Sequence, residues 1–221
     1  MSGDSPLALS LQIAAVATLL ATIAGVAFGA LLARRDFRGR NLVDALVTAP
    51  MVLPPTVLGY YVLVALGRTS VVGRAYEAIT GSSIVFTRTG AVVAAALGAF
   101  PILVKSSRAA LEDVDAVFLR AARTLGAGPV RAFFTVQLPL AARGVVAAVC
   151  LAFARSLGDF GVTLMVAGDI PRETQTASLA IYDAIQARRE GDAASLVVIL
   201  SAVAITILYV VNRLTAKRDA S

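Results

Sequence analysis

The residues from Leu7 to Ala33 form one apolar run, interrupted only by small or weakly polar side chains such as Gln12, Thr18 and Thr22. A helix of that length rises about 40 Å at ~1.5 Å per residue, more than the ~30 Å hydrocarbon core of a bilayer. Backbone groups inside lipid have no water to bond, so a chain built from such runs must satisfy them within helices. Four further runs follow. Leu42–Leu66 carries Pro50 and the pair Pro54–Pro55, and the third extends from about Ile84 to Val104, with Arg88 and Pro101 near its ends. The fourth starts near Leu138 and reaches Leu157, and Ala193–Val211 ends in Asn212, Arg213 and a basic tail. With 58% of 221 residues hydrophobic and 15% charged, little chain remains for an aqueous domain. The expectation is an all-α, polytopic membrane protein, one embedded unit over 6–213 with five transmembrane helices, six being possible.

The sixth candidate lies after Arg155. Gly161–Gly168 is apolar but too short to span, and Asp169-Ile170-Pro171 separates it from a helical stretch, Thr176–Ala187. A re-entrant element flanked by Gly and Pro fits this pattern, with a further span as the alternative. The first run is too long for a signal-peptide core and no basic segment precedes it, so it is expected to persist.

Composition removes several chemistries. There is no His, which excludes His-ligated metal sites and Ser–His or Cys–His catalysis. Cys150 is the single thiol, lies in an apolar run and reads as a small buried hydrophobe. No Gly-x4-Gly-Lys-Ser/Thr loop is present to cradle ATP phosphates. Neither catalytic nor metal-binding residues are therefore expected. The net charge of +6 marks cytoplasmic loops rather than nucleic-acid binding. Placing Arg34–Arg40, Lys105–Arg143 and the C-terminal tail on one face collects thirteen of the twenty Lys and Arg residues there. That asymmetry predicts an N-terminus outside and a C-terminus in the cytoplasm.

The segment richest in charge carries an ordered motif. Arg120-Ala121-Ala122 is followed by three residues, Gly126, nine residues, and then Val136-Gln137-Leu138-Pro139. Alanines let helix surfaces approach, Gly ends a helix, and Pro is tolerated in a first helical turn. The loop 113–139 resembles the EAA loop of binding-protein-dependent ABC importer permeases: Glu-Ala-Ala, three residues, Gly, nine residues, Ile, any residue, Leu-Pro. Val136 stands for Ile, and Arg120 stands for Glu, a charge reversal that removes any salt bridge the family's Glu would make. The resemblance implies a type I ABC importer permease fold whose short cytoplasmic coupling helix docks on a separate ATPase subunit.

Two more stretches resemble molybdate importer permeases. Val52-Leu53-Pro54-Pro55-Thr56-Val57-Leu58-Gly59-Tyr60-Tyr61 is similar to their mid-span motif. Arg155-Ser156-Leu157-Gly158-Asp159-Phe160-Gly161-Val162-Thr163 is similar to their Ser-Leu-Gly-Glu-Phe-Gly-Ala-Thr segment, with Asp159 for Glu and Val162 for Ala. Thr174-Gln175-Thr176 and Leu179–Tyr182 continue the likeness, and sulfate and tungstate permeases share parts of it. The resemblance extends from Leu7 to Arg213.

Pro54–Pro55 removes two backbone donors in mid-span. The result is either a broken helix lining a path, with Thr56 and Tyr60 offering hydroxyls to an oxyanion, or a packing kink. Arg155 and Asp159 stand at i and i+4, so each can mask the other's charge at a helix end. Alternatively, Arg155, Ser156 and Thr163 lie near the outer mouth and present charge and donors to a dianion.

The resemblance further implies a homodimer with a path along its two-fold axis and an ATPase subunit holding ATP and Mg under each copy. It also implies an external oxyanion-binding protein, and no cofactor in this chain. The expected function is that of a molybdate permease of the cytoplasmic membrane. Tungstate or sulfate is the alternative cargo. An ion-coupled secondary carrier, the alternative class, would need intramembrane acids or repeat-related broken helices.

Overall fold

The structure, a computed structural model, describes residues 5–33 and 37–215. Arg34 and Arg35 of the first basic cluster, and Lys217 and Arg218 of the tail, lie outside the described residues. Among the described residues every regular element is helical: α1 (Pro6–Ala33), α2 (Arg40–Val52), α3 (Pro55–Leu66), α4 (Val71–Thr80), α5 (Arg88–Glu112) and α6 (Ala116–Thr124) come first. A short α7 (Pro129–Ala132) passes through a π-helical stretch, Phe133–Gln137, into α8 (Leu138–Leu157). Then follow α9 (Gly161–Ala167), α10 (Ala177–Gln186) and α11 (Glu190–Thr215).

Among the described residues four segments are long and apolar enough to cross a membrane: Pro6–Ala33, Arg88–Glu112, Pro129–Leu157 and Glu190–Val210. α2 and α3 together make a fifth, bent by 113° at the break before Pro55. Pro54 and Pro55 cannot donate to the preceding turn, so the helix stops and restarts there. The restart is satisfied locally, because the Pro54 carbonyl accepts from the N–H groups of Val57 and Leu58 at 2.9 and 3.0 Å.

α5 is the hub of the bundle, and small residues set its neighbours. Gly25 of α1 faces Leu103, so closely that an added Cβ would stand 2.6 Å from the Leu103 Cβ, and Gly29 faces Ser107 and Arg108. A four-residue step on α1 thus matches a four-residue step on α5, and the two helices run parallel. Spacing small residues four apart lets backbones approach where lipid offers no hydrophobic drive between helices. Parallel α1 and α5 require the chain between them to return to the side on which α1 begins. The bent α2–α3 pair makes that return, so it crosses despite its break. At the far end of α5, Lys105 and Arg108 bond Asp44 of α2 at 2.8 and 3.4 Å, and Arg40 and Arg108 bond Glu112 at 3.3 and 2.9 Å.

α8 runs antiparallel to α5, since Gly144 packs on Ala110 while Arg155 reaches Gly98. The helix leading into it begins at Pro129, nine residues before the expected start at Leu138. Pro139 therefore lies within a continuous helix and has no N–H for the Thr135 carbonyl. The π-helical stretch immediately before it, where the Leu138 N–H reaches the Phe133 carbonyl, accommodates this loss.

The segment expected as one re-entrant element divides into two. α9 keeps the direction of α8: Val162 packs with Ala94, and Val166 lies beside Gly90. It prolongs the preceding span beyond a break at Gly158–Phe160. The chain then turns at Gly168, where φ is +72°. It comes back until the Ala177 N–H donates to Ser10 Oγ at 2.7 Å and Ser178 Oγ donates to the Asp159 carbonyl at 3.1 Å. α10 packs on α1 and α11. With seven and ten residues, neither α9 nor α10 crosses by itself.

Candidate functional site

Two surfaces gather the residues singled out in the sequence. The first is α6 with the turn that follows. Asp115 Oδ1 accepts from the Val117 N–H at 2.8 Å and opens the helix. Its end is closed by two bonds, from Gly126 N–H to the Arg123 carbonyl and from Ala127 N–H to the Ala122 carbonyl, both 3.0 Å. This pattern needs a left-handed residue, and Gly126 supplies it at φ +83°. The motif glycine is thus the helix stop.

No residue of α6 is fully buried. Leu125 is 88% exposed, and Val117, Phe118, Val130 and Phe134 of the same segment are exposed as well. Arg120 and Ala121 are exposed, whereas Ala122 is half-buried. Among the described residues Arg120 makes no ion pair. Val136 and Leu138 are half-buried where the loop rejoins the bundle, and Pro139 is exposed. Gln137 Nε2 donates to the Leu111 carbonyl at 3.2 Å and ties that junction to α5. A compact helix that shows this much apolar surface outside the bundle has the character of a docking surface.

The second surface is a cavity of about 570 Å³ lined by Pro55, Thr56, Arg155, Gly158, Asp159 and Phe160. It unites the Pro54–Pro55 break with the break after α8, a hundred residues away in sequence. Arg155 Nη1 donates to Asp159 Oδ1 at 3.1 Å. Asp159 Oδ2 also accepts from the Thr163 N–H at 3.0 Å and the Thr163 hydroxyl at 2.6 Å. The Asp159 side chain is only 2% exposed, while that of Arg155 is 37% exposed. Ser156 is buried and donates to the Ala95 carbonyl at 3.4 Å. The Ser156 and Thr163 hydroxyls therefore bond within the bundle, and Arg155 is the member of this group that faces open space. Tyr60, on the next turn of α3, is exposed beside Tyr61 and does not line this cavity.

The pair sits at a helix end with its charges paired, as one reading expected: Arg155 stands in the last turn of α8 and Asp159 two residues past it. Gly98 abuts Arg155 and Asp159, and it lies ten residues, about 15 Å, along α5 from its N-terminus. The pair therefore lies alongside the interior of α5, away from that helix's N-terminal end. Gly98 was not singled out as a site residue. Its signal is faint, the row Gly90, Ala94, Gly98 of small residues four apart, which marks a packing face without saying what packs there.

Residues 25–218 match the family described as the binding-protein-dependent transport system inner membrane component. The molybdenum transport system permease protein ModB of Escherichia coli K12 is 43% identical over 203 residues, covering 91% of this chain and 89% of that protein. ModB of Haemophilus influenzae is 43% identical over 182 residues, covering 82% of this chain and 80% of that protein. An inward-facing structure of the MetNI methionine ABC transporter superposes with a TM-score of 0.72 at 19% identity, over 94% of each chain. At that identity the last likeness establishes the fold alone. Bundle and sequence agree: the chain belongs to the family of binding-protein-dependent transport system inner membrane components.

Proposed function

We propose that this chain is the permease subunit of an ATP-driven importer that carries molybdate across the cytoplasmic membrane. The observation that carries this reading is α6, capped at both ends and apolar on a face the bundle leaves bare, in a chain without a phosphate-binding loop. Its relatives named for molybdenum transport indicate the cargo. The work of ATP hydrolysis then falls to a separate ATPase subunit that holds ATP and Mg and receives α6, while this chain holds no cofactor. An external oxyanion-binding protein delivers the cargo.

Two copies around a two-fold axis fit the exposed face of α3, where Val57, Tyr60, Tyr61 and Val64 lie bare beside the open cavity. In this arrangement Arg155 and Thr56 face the path. Five crossings would put the termini on opposite sides, and the basic residues of the α6 loop support a reading with that loop and the C-terminus in the cytoplasm.

Reconstitution with the ATPase and the binding protein tests the reading. Molybdate-loaded binding protein is expected to stimulate both ATP hydrolysis and uptake. Stimulation by sulfate-loaded but not molybdate-loaded protein would overturn the cargo. Uptake that persists without the ATPase and collapses with the ion gradient would overturn the class.

A further inference from the structure

We propose that Asp159 sets how tightly the path holds its anion, by competing with that anion for Arg155. The proposal rests on the importer reading above and assigns this residue a role within it. Asp159 is held from three directions. Its Oδ2 takes both Thr163 donors, its Oδ1 takes Arg155, and Ser178 Oγ bonds its backbone carbonyl. With 2% of its side chain exposed, the carboxylate is almost wholly covered where it meets the cavity.

Arg155 is held differently. Its side chain lines the 570 Å³ cavity with Pro55 and Thr56 and is 37% exposed. A guanidinium carries five N–H donors in a planar fork suited to oxyanions, and the contact to Asp159 engages Nη1. Gly98 makes room for the pair, since a Cβ there would stand 3.3 Å from Arg155 Nη2 and 3.5 Å from Asp159 Oδ1. The cavity wall thus contains one fixed carboxylate and one arginine with donors to spare, and among the described residues no other charged side chain lines it.

Charge arithmetic gives the pair its consequence. A lone Arg in a low-dielectric span would hold a dianion strongly and release it slowly. Conduction requires a site favourable enough to enter and weak enough to leave. The fixed Asp159 offsets the Arg155 charge and repels the cargo, so an oxyanion engages Arg155 only in competition with the carboxylate. Asp159 is a positioning and affinity-setting residue, and Arg155 is the group that touches the cargo.

The test uses the permease–ATPase complex in nanodiscs and equilibrium dialysis against radiolabelled molybdate, with import read separately in proteoliposomes. Asp159→Asn keeps the size and the acceptor for Thr163 but removes the charge. Molybdate affinity is expected to rise about tenfold, as for one freed charge-assisted contact, while import slows. Asp159→Glu is expected to restore both properties toward those of the unmodified complex. Adding Arg155→Gln to Asp159→Asn is expected to abolish the gain. An Asp159→Asn complex that binds no tighter, or a gain that survives in the double variant, overturns the proposal. Should Asp159→Asn not assemble, Arg155→Gln alone decides: import is expected to be lost, and import at the unmodified rate overturns it. Failure of the unmodified complex to import molybdate would instead refute the importer reading, because the dialysis comparison needs no import.

Discussion

Gly59 on α3 and Met165 on α9 lie backbone against side chain: a Cβ added to Gly59 would stand 2.7 Å from the Met165 Cβ. Gly161 meets Pro55 at the same 2.7 Å, so the two helices run parallel in a common four-residue step. Each is the continuation of an interrupted span, one beyond Pro54 and the other beyond Gly158–Phe160. Their contact couples the two breaks and forms the wall of the shared cavity.

Gly59→Val is expected to push α9 away from α3, because both partners at the contact are Cβ-level atoms with little freedom to give. Overpacking of this kind costs about 1–3 kcal/mol. A lower Tm for the purified protein checks it, together with reduced import. An unchanged Tm would contradict the close packing of these helices.

Leu125→Asp separates docking from folding. Leu125 is 88% exposed, so the change costs the bundle little. On the proposed docking surface it replaces an apolar contact with a charge. Normal membrane insertion with loss of ATPase co-purification is expected. Full co-purification would remove the turn after α6 from the interface.

The two buried hydroxyls near Arg155 should differ in effect. Thr163→Val takes one donor from the buried Asp159 carboxylate, an acceptor left under-satisfied at a cost of about 1–3 kcal/mol. Ser156→Ala removes a longer bond to the Ala95 carbonyl, at 3.4 Å, and is expected to cost about 0.5–1.5 kcal/mol. Thermal unfolding of both variants tests the order, which reverses if Asp159 does not depend on Thr163.

Orientation is open to direct labelling. In a Cys150→Ala background, Ser82→Cys after α4 and Gly128→Cys before α7 place thiols at exposed positions. A membrane-impermeant maleimide added to intact cells is expected to modify the first. The second is expected to react only after permeabilisation. The opposite pattern would invert the topology.

Much of this fold was legible because its signals are local. Leu7–Ala33 reads as a spanning helix, and Pro54–Pro55 reads as a break, since proline cannot supply the donors that a helix needs. The stop at Gly126 was legible for the same reason, a left-handed position that glycine adopts without penalty. The bounds of α8, Leu138–Leu157, were legible too. The lead-in was not: the turn from Pro129 joins α8 through a π-helical widening that no residue type announces. α9 was also opaque, because seven apolar residues cannot declare whether they continue a span or double back.

The sequence by itself determined that lipid is the solvent, that helices must satisfy the backbone, and that Gly126 stops a short helix. Each follows from residue chemistry acting over a turn or two of chain. The tertiary structure alone decided that α1 and α5 run parallel and that α9 prolongs α8. It also decided that Arg155 and Asp159 lie deep beside Gly98, with Ser156 and Thr163 turned to internal partners. Depth and partner belong to no single segment. They are set where small residues far apart in the chain allow two backbones to meet, and only the packed bundle contains that contact.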